Sequence, residues 1–518
     1  MAPLIFLYGP PGSGKSTLGR YLAKALALDF FDLDTVVEQK AGSEIPATFT
    51  TEGELGFRAL ESEALKTVLA NGSGVVALGG GTLLDAENRD LVREAGSVLC
   101  LDGPAETLLF RLSDSNEVRP LLEGDLDVQL KSLLEERAEH YASFPLRLDT
   151  HELTPAQTAL EAQVMLGRFR IRGMGSGYDV VVDEGGLPEV GAWMADHDFR
   201  GTAALVTDET VGALYAAQVS AAVRSSGMQV HPYQIPPGED QKTLSTAADI
   251  WDFFARSRME RSSVVLALGG GVVGDLAGFA AANFMRGIAW IYLPTTLLAM
   301  VDASVGGKTG VNLPHGKNLV GAFHAPRAVR MDIATLKTLP DIEISNGLAE
   351  VVKHGVIGDP ALFDLCARGL QAIWQEMNTL ISRVVAVKLR VIQEDPYEAG
   401  LRETLNLGHT IGHAVEQVSK YRIRHGEAVA IGMVAEARLS RILGIAEDGL
   451  EERFSAVLSG VGLPVDIPDF INRSDLVEVM MMDKKRAGDK LRFSLPVKVG
   501  EVRTGIEVAP AEVLRVLE

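Results

Sequence analysis

The sequence predicts an α/β protein in three parts: a P-loop domain with a parallel sheet, an α/β dinucleotide-binding domain, and a mostly helical domain able to hold a metal. Three stretches predict it. Residues 4–8 are a short apolar run leading straight into Gly9-Pro-Pro-Gly-Ser-Gly-Lys-Ser-Thr17, a complete Walker A motif in strand–loop–helix context. Residues 264–268 form a second buried-strand run, ending in Gly269-Gly-Gly-Val-Val-Gly274, a GxGxxG turn. His409 and His413 are four apart, on one face of an expected helix, and His425 opens the next apolar helical run.

At 518 residues the chain is too long for one ordinary core, so two or three domains are expected. No run of about eighteen apolar residues could span a bilayer. The N-terminal apolar run has no basic flank and passes directly into the phosphate loop, so it reads as a buried strand and not a signal peptide. Cys100 and Cys366 are too few for a disulfide framework, which suits a reducing cytoplasm. A net charge of −20 argues against a nucleic-acid or anionic-membrane surface and leaves small molecules as the expected partners. Local lysines and arginines can still invert the field inside a cleft.

The first domain is expected over residues 1–168. In the Walker A loop the backbone N–H groups of Gly12, Ser13, Gly14, Lys15, Ser16 and Thr17 wrap phosphates, the Lys15 side chain reaches the outer ones, and the Ser16 hydroxyl takes Mg²⁺. Asp32 and Asp34 alternate along an expected extended stretch. Arg58 lies in a helical segment. Residues 75–78 read as a strand leading to Gly79-Gly80-Gly81-Thr82, where glycines let backbone approach a ligand. Arg119-Pro-Leu-Leu sits in a charged segment suited to a lid. Arg137 follows on a helix, with Tyr141 one turn on. Arginine is the usual clamp for carboxylate and phosphate.

This set resembles shikimate kinase: the Walker A, the DxD at Asp32 and Asp34, the run from Glu52 through Phe57, Arg58 and Glu61, then GGGT, RPLL and Arg137. The resemblance implies that Asp34, Arg58, Gly80 and Arg137 hold shikimate, with the two arginines on its carboxylate. It implies Arg119 as a lid residue over the phosphates, Asp34 as base or orienter of the attacking hydroxyl, and Mg²⁺ with ATP.

Residues 156–169 read as a helix, and the glycine-rich 169–177 as a hinge. An α/β domain is then expected over 178–335 and a helical one over 336–518. Residues 203–207 form a strand ending in Asp208. The acidic residue usual about twenty positions after GxGxxG is absent, so this is not an ordinary dehydrogenase fingerprint; Asp208, at an earlier strand end, could take the ribose role instead. Lys308 and Lys317 lie in expected Gly-rich loops, well placed for anions. Glu350, Lys353 and His354 share a helical face. A catalytic zinc wants three protein ligands, and Glu350 with His409 and His425 supplies two imidazoles and a carboxylate. Lys388 lies on an amphipathic helix. Arg402 and Asn406, four apart, are expected on one face.

Taken together, GGGVVGDLAGFAAA, PTTLLAMVDASVGGKTGVN, GKN, GLAEVVKHG, GLRETLNLGHTIGHAVE, HGEAVAIGM and DKK resemble 3-dehydroquinate synthase over nearly the whole segment. The resemblance implies Zn²⁺ (or Co²⁺) on Glu350, His409 and His425. It implies Arg286, Lys308, Asn318, Lys353, Lys388, Arg402, Asn406, His413 and Lys485 around a heptulosonate phosphate, with Lys308, Lys353 and His413 catalytic. For NAD it implies Asp208, Glu239, Lys242, Gly270, Gly271, Asp275, Thr295, Thr296, Asp302, Lys317 and Thr338. It implies a cycle in which one hydride leaves and returns while phosphate is lost, and a homodimer paired through this half. Ala325 stands where the family often has Gln and Asn346 where it commonly has Ser, neither expected to touch a site residue.

Two other readings stay open from the sequence. The second half is a related sugar-phosphate cyclase or a zinc alcohol dehydrogenase; or one half is a pseudoenzyme kept for scaffolding, against which all the chemistry-bearing residues above are present. The two expected reactions are not consecutive, so fusion does not imply hand-off between sites.

Overall fold

The computed structural model describes residues 4–114, 124–396, 400–484 and 490–518, leaving aside the side chains of 483 and 484. Arg119 and Lys485 lie outside the described residues. The chain divides into two compact units, Met1–Arg170 and Ile171–Glu518. No helix among the described residues is long and apolar enough to cross a membrane.

The first unit contains β1 (Leu4–Tyr8), β2 (Phe30–Asp32), β3 (Val75–Ala77), β4 (Gly96–Asp102) and β5 (Arg147–Asp149). They form a parallel sheet in the order β2-β3-β1-β4-β5. Central β1 is buried throughout, which is why it reads as an unbroken apolar run. Its alternate residues serve two cores: Leu4, Phe6 and Tyr8 pack with Phe57 and Leu65, while Ile5 and Leu7 pack with Leu18 and Leu22. The expected extended stretch at Asp32 and Asp34 gives way to a helix, Leu33–Ala41. The Asp32 carboxylate caps it by accepting the Asp34 N–H at 3.3 Å, so the local cap outweighs the alternation.

The helix expected to run to Phe169 spans Pro155–Leu166 and stops at Gly167, in left-handed backbone; β6 (Arg168–Ile171) follows where a hinge was expected to begin.

The second unit contains β7 (Tyr178–Asp183), β8 (Thr202–Asp208), β9 (Gln229–Ile235), β10 (Val264–Gly269), β11 (Ala289–Pro294), β12 (Lys308–Leu313), β13 (Gly316–Phe323), β14 (Ala328–Asp332), β15 (Leu491–Lys498) and β16 (Glu501–Val508). Strands β7, β14, β11, β10, β8 and β9 lie side by side in that order, all parallel. The chain leaves β8 for β9 on one side and β10 for β11 on the other. The ends of β8 and β10 therefore frame a topological switch point, where a crevice opens in folds of this kind. Asp208 ends β8, and the turn at Gly270 follows β10. Gly274 lets the helix Gly271–Asn283 lie close on the sheet: a Cβ there would come within 2.2 Å of the Tyr292 ring.

Three expectations are corrected here. Lys308 and Lys317 sit in the strands of an antiparallel hairpin, β12–β13, and not in loops. Gly310 faces Gly321 across that ladder, and β13 is largely exposed, so it carries no apolar alternation to read. Second, the helical part ends in a hairpin, β15–β16, whose Leu491, Phe493 and Leu495 alternate into the same core as Ile411, Val415 and Ile431. Third, Arg402 and Asn406 lie on a single 3₁₀ turn, Leu401–Asn406. At three residues per turn, positions four apart do not share a face.

Glu350 lies on the helix Asp341–Gly358, and His409 and His425 are the first residues of the helices His409–Val418 and His425–Ile442. The two histidine-bearing helices cross on glycine: a Cβ at Gly432 would come 2.0 Å from the Gly408 carbonyl oxygen. That close approach brings both imidazoles to one place.

Candidate active sites

In the first unit the phosphate loop opens on a cavity of about 1040 Å³. Gly12, Ser13, Gly14, Lys15, Ser16, Thr17, Asp34, Arg58, Gly80 and Arg137 all line it. Lys15 Nζ donates to the Gly9 and Pro10 carbonyls at 2.9 and 3.0 Å, which holds the ammonium over its own loop. Arg58 Nη1 pairs with Glu61 Oε2 at 2.8 Å. Glu61 is buried, and its other oxygen accepts the Thr82 hydroxyl at 2.6 Å. It thus anchors Arg58, a role the sequence did not reveal. A Cβ at Gly81 would come 2.6 Å from the Arg58 guanidinium, so that glycine makes room for a side chain and not only for a ligand. The Gly80 carbonyl accepts from Arg137 Nη1, Tyr8 Oη and Tyr141 Oη at 3.2, 3.2 and 3.0 Å. Arg137 Nε is buried with no hydrogen-bond partner among the described residues, so its guanidinium has donor capacity left for an anion.

In the second unit, basic and acidic groups alternate through a buried cluster. Glu350 is 0 % exposed and Lys353 1 %. Lys353 Nζ lies 2.5 Å from Glu350 Oε2 and donates to the Leu405 carbonyl at 2.9 Å. Lys388 is also buried and pairs with Asp302 Oδ1 at 2.5 Å. His409 Nε2 and His425 Nε2 lie 3.5 and 3.4 Å from one oxygen, Glu350 Oε1. A tetrahedral ion about 2.1 Å from each ligand spaces its donors about 3.4 Å apart; both imidazole-to-carboxylate distances match that spacing, and all three donor atoms lie within 4.8 Å of one another. Two imidazole nitrogens and a carboxylate suit zinc or cobalt.

The charges follow the same geometry. Burial would raise the Glu350 carboxyl, but Lys353 and the two histidines hold it well below its usual range. Burial and Lys353 push His409 down to about 3, keeping it neutral. Burial would lower His425 too, yet hydrogen bonds with Glu350 and Glu416 raise it to about 10. His413 is exposed, its ring centre 5.1 Å from that of His409.

His354 is fully buried and bonds the Glu350 carbonyl through Nδ1 at 2.7 Å. Its Nε2 has no partner among the described residues. Burial, with Lys353 close by, pushes its imidazole down to about 4. An unfolded imidazole titrates near about 6.5. As pH falls from there, the unfolded chain takes a proton that the folded chain refuses. The contribution of His354 to stability is complete above about pH 6.5 and falls by about 3 kcal/mol as pH drops through 4. Denaturant unfolding of metal-free protein at pH 7 and pH 4.5 measures this, and His354→Gln should flatten the slope; an unchanged slope would assign the acid sensitivity elsewhere.

The residues expected at a dinucleotide are less uniformly gathered. Lys242 Nζ pairs with Asp275 Oδ2 at 2.5 Å behind the Gly270–Gly271 turn. Glu239 Oε1 accepts Asn312 Nδ2 at 2.8 Å. Thr295 Oγ1 is buried with no partner among the described residues, while Thr296 Oγ1 caps the Ala299 N–H at 3.1 Å. Asp208 Oδ1 accepts the Val211 N–H at 2.9 Å, a capping role beside its place at the switch point. Thr338 is exposed and bonds Tyr215 at 2.6 Å. Lys317 Nζ reaches Glu416 at 3.3 Å. Arg286 is exposed in left-handed backbone, φ 70°, as is Asn318, φ 55°. Lys308 is exposed; Arg402 is buried and donates to the Pro396 carbonyl at 2.8 Å; Asn406 is exposed at the end of its 3₁₀ turn.

Further residues here were not foreseen. Glu436 is buried, and its Oε2 accepts the Gly408 N–H at 2.5 Å, just ahead of His409. Asn346, not counted among the site residues, accepts the Gly426 N–H at 2.6 Å, next to His425. Sequence spacing marks neither residue, because each partner comes from a different element.

Comparison with known proteins finds a family for each unit. Residues 11–166 match the family described as shikimate kinase. Residues 232–346 and 347–486 match the 3-dehydroquinate synthase N-terminal and C-terminal families. A 3-dehydroquinate synthase of Synechococcus sp. is 44% identical over 349 residues, 65% of this chain and 94% of that protein. The solved structure of 2-deoxy-scyllo-inosose synthase, complexed with carbaglucose-6-phosphate, NAD⁺ and Co²⁺, matches with a TM-score of 0.63 at 27% identity, covering 68% of this chain and 99% of that one. A 2-epi-5-epi-valiolone synthase from Streptomyces hygroscopicus subsp. jinggangensis 5008, with NAD⁺ and Zn²⁺ bound, matches with a TM-score of 0.60 at 30% identity, covering 66% and 95%.

Proposed function

The chain belongs to the 3-dehydroquinate synthase family and carries a shikimate kinase domain ahead of that part, and from that premise we propose which of its own residues carry out the two reactions. One is ATP-dependent phosphorylation of shikimate. The other is conversion of 3-deoxy-D-arabino-heptulosonate 7-phosphate to 3-dehydroquinate and phosphate. The 44% identity to a 3-dehydroquinate synthase, against 27% and 30% to the two cyclases, supports this reading over a different carbocycle.

In the kinase, Arg58 and Arg137 clamp the shikimate carboxylate, with Glu61 and the Gly80 carbonyl fixing their orientation. Asp34 orients the attacking hydroxyl. Lys15, with the loop N–H groups of Gly12 to Thr17, neutralises the phosphates, and Ser16 holds Mg²⁺ with the nucleotide. Arg119 takes part in neutralising the nucleotide phosphates. Phosphoryl transfer asks for positioning and charge neutralisation more than for covalent chemistry, and this residue set supplies both.

In the synthase, residues 178–335 bind NAD at the β8–β10 crevice, and residues 336–518 hold zinc or cobalt on Glu350, His409 and His425. When bound, the metal supplies Lewis-acid charge beside a substrate hydroxyl, and NAD supplies the acceptor for a hydride that it later returns. The protein's own groups do the rest. Lys353 and Lys388, both buried, offset the substrate's phosphate and carboxylate together with Arg402, Arg286, Lys308 and a lysine of the DKK run. Asn318 and Asn406 orient the sugar phosphate. His413, exposed beside the two ligand histidines, passes protons between site and solvent. Two copies pair through this half, in the cytoplasm.

The observation that carries the synthase reading is the spacing of three donors from three separate helices, 3.4 and 3.5 Å from imidazole to carboxylate. Assaying one preparation for both reactions, before and after chelation, tests it. Phosphate release from the heptulosonate phosphate should vanish on chelation and return with Zn²⁺ or Co²⁺, with no net NADH formed. Steady accumulation of NADH would instead indicate a dehydrogenase.

A further inference from the structure

Glu416, on the helix His409–Val418, is buried but is not among the three ligands. Its Oε2 lies 3.3 Å from His425 Nδ1, the ring nitrogen opposite the one that faces Glu350. Its Oε1 lies 3.3 Å from the Lys317 ammonium of β13. Lys317 in turn sits 4.3 Å from the centre of the Tyr421 ring. Tyr421 and its neighbour Lys420 both hold left-handed backbone, φ 58° and 55°, which is costly for non-glycine residues. The Tyr421 N–H donates to the Glu416 carbonyl at 2.8 Å, so that strained turn is tied back to the same residue.

An imidazole that ligates a metal through one nitrogen is fixed in tautomer and orientation by what accepts the other N–H. His425 has a buried carboxylate in that place, and the carboxylate is itself held by a cation that an aromatic ring braces. We propose that Glu416 is the positioning residue of the metal centre: it accepts the Nδ1–H of His425, leaving Nε2 free to face the ion, and its second oxygen ties that orientation to Lys317 on the β12–β13 hairpin. The inference rests on the metal reading above and extends it. Glu416, His413 and His425 also lie close enough to hold an ion by themselves. Both Glu416 oxygens, however, already face partners, His425 Nδ1 and the Lys317 ammonium.

The test uses full-length protein stripped of metal and titrated with Co²⁺, read by visible absorption against a competing chelator, together with thermal unfolding of the metal-free forms. Glu416→Ala should weaken Co²⁺ binding by about 10–100-fold. Glu416→Gln should weaken it less, because its amide oxygen still accepts the Nδ1–H, and Lys317→Met should weaken it in the same direction. Metal-free melting of the Gln form should match the parent, which separates positioning from folding even if the Ala form melts early. Parental Co²⁺ affinity in both Glu416 variants would overturn the proposal. So would tight Co²⁺ binding that survives Glu350→Gln but disappears in Glu416→Ala, since Glu416 would then be a ligand. Failure of the parent to bind Co²⁺ at all would overturn the metal reading itself, and this inference with it.

Discussion

Glu350→Gln is expected to empty the metal site and lower the synthase rate about 10³-fold or more, while shikimate phosphorylation continues at the parental rate. The magnitude follows from the Lewis-acid contribution of a bound metal, several kcal/mol, at about 1.36 kcal/mol per tenfold. Glu350 Oε1 faces both histidine nitrogens, so an amide there removes the anionic donor the other two converge on. The change also leaves the Lys353 ammonium, 1 % exposed, without its counter-charge. Breaking a buried pair in this way costs about 3–5 kcal/mol of stability. Glu350→Gln with Lys353→Met should recover much of that stability and none of the metal binding. Thermal melts of the two forms, with metal content by elemental analysis, separate loss of fold from loss of site. Full metal occupancy in Glu350→Gln would remove Glu350 from the ligand set.

Lys15→Ala is expected to cut the kinase rate by about 10²–10³-fold and leave the synthase untouched. One preorganised donor aimed at developing charge is worth about that much in acyl transfer, and phosphoryl transfer leans on such donors more heavily. Lys15 is the first residue of the helix Lys15–Leu26, where alanine is a better helix former, so the fold should not suffer. Coupled assays of both reactions on one preparation measure the split. Parental phosphorylation would mean that the loop binds nucleotide without its lysine taking part. A parallel fall in the synthase would mean that the halves are not independent.

The residues proposed to bear the chemistry were legible in the sequence because their types and spacing are set by the ligand they would hold. A Walker A loop after an apolar strand, and two imidazoles with a carboxylate, are constrained by phosphate and by a tetrahedral ion before any packing is known. What the sequence concealed belongs to the crossing of elements. Glu61, Glu416 and Glu436 look like ordinary helix-face acids, yet each is buried because another element arrives with a donor: Thr82, Lys317 and the Gly408 N–H. Asn346 gave no hint that it would hold the N–H beside His425. Where a local signal competed with a pattern, the local signal won, as the Asp32 cap did over the alternation at Asp32 and Asp34. The β12–β13 and β15–β16 hairpins escaped notice for different reasons. The first is largely exposed and glycine-paired, and the second lies in a stretch expected to be helical.

X-ray absorption at the zinc edge of the metal-loaded chain addresses the shared centre most directly. Two imidazole nitrogens and a carboxylate oxygen at about 2.0–2.2 Å, with the imidazole signature halved in His409→Ala, are the expected result. A sulfur shell near about 2.3 Å, or a spectrum indifferent to His409, His425 and Glu350 alike, would contradict it.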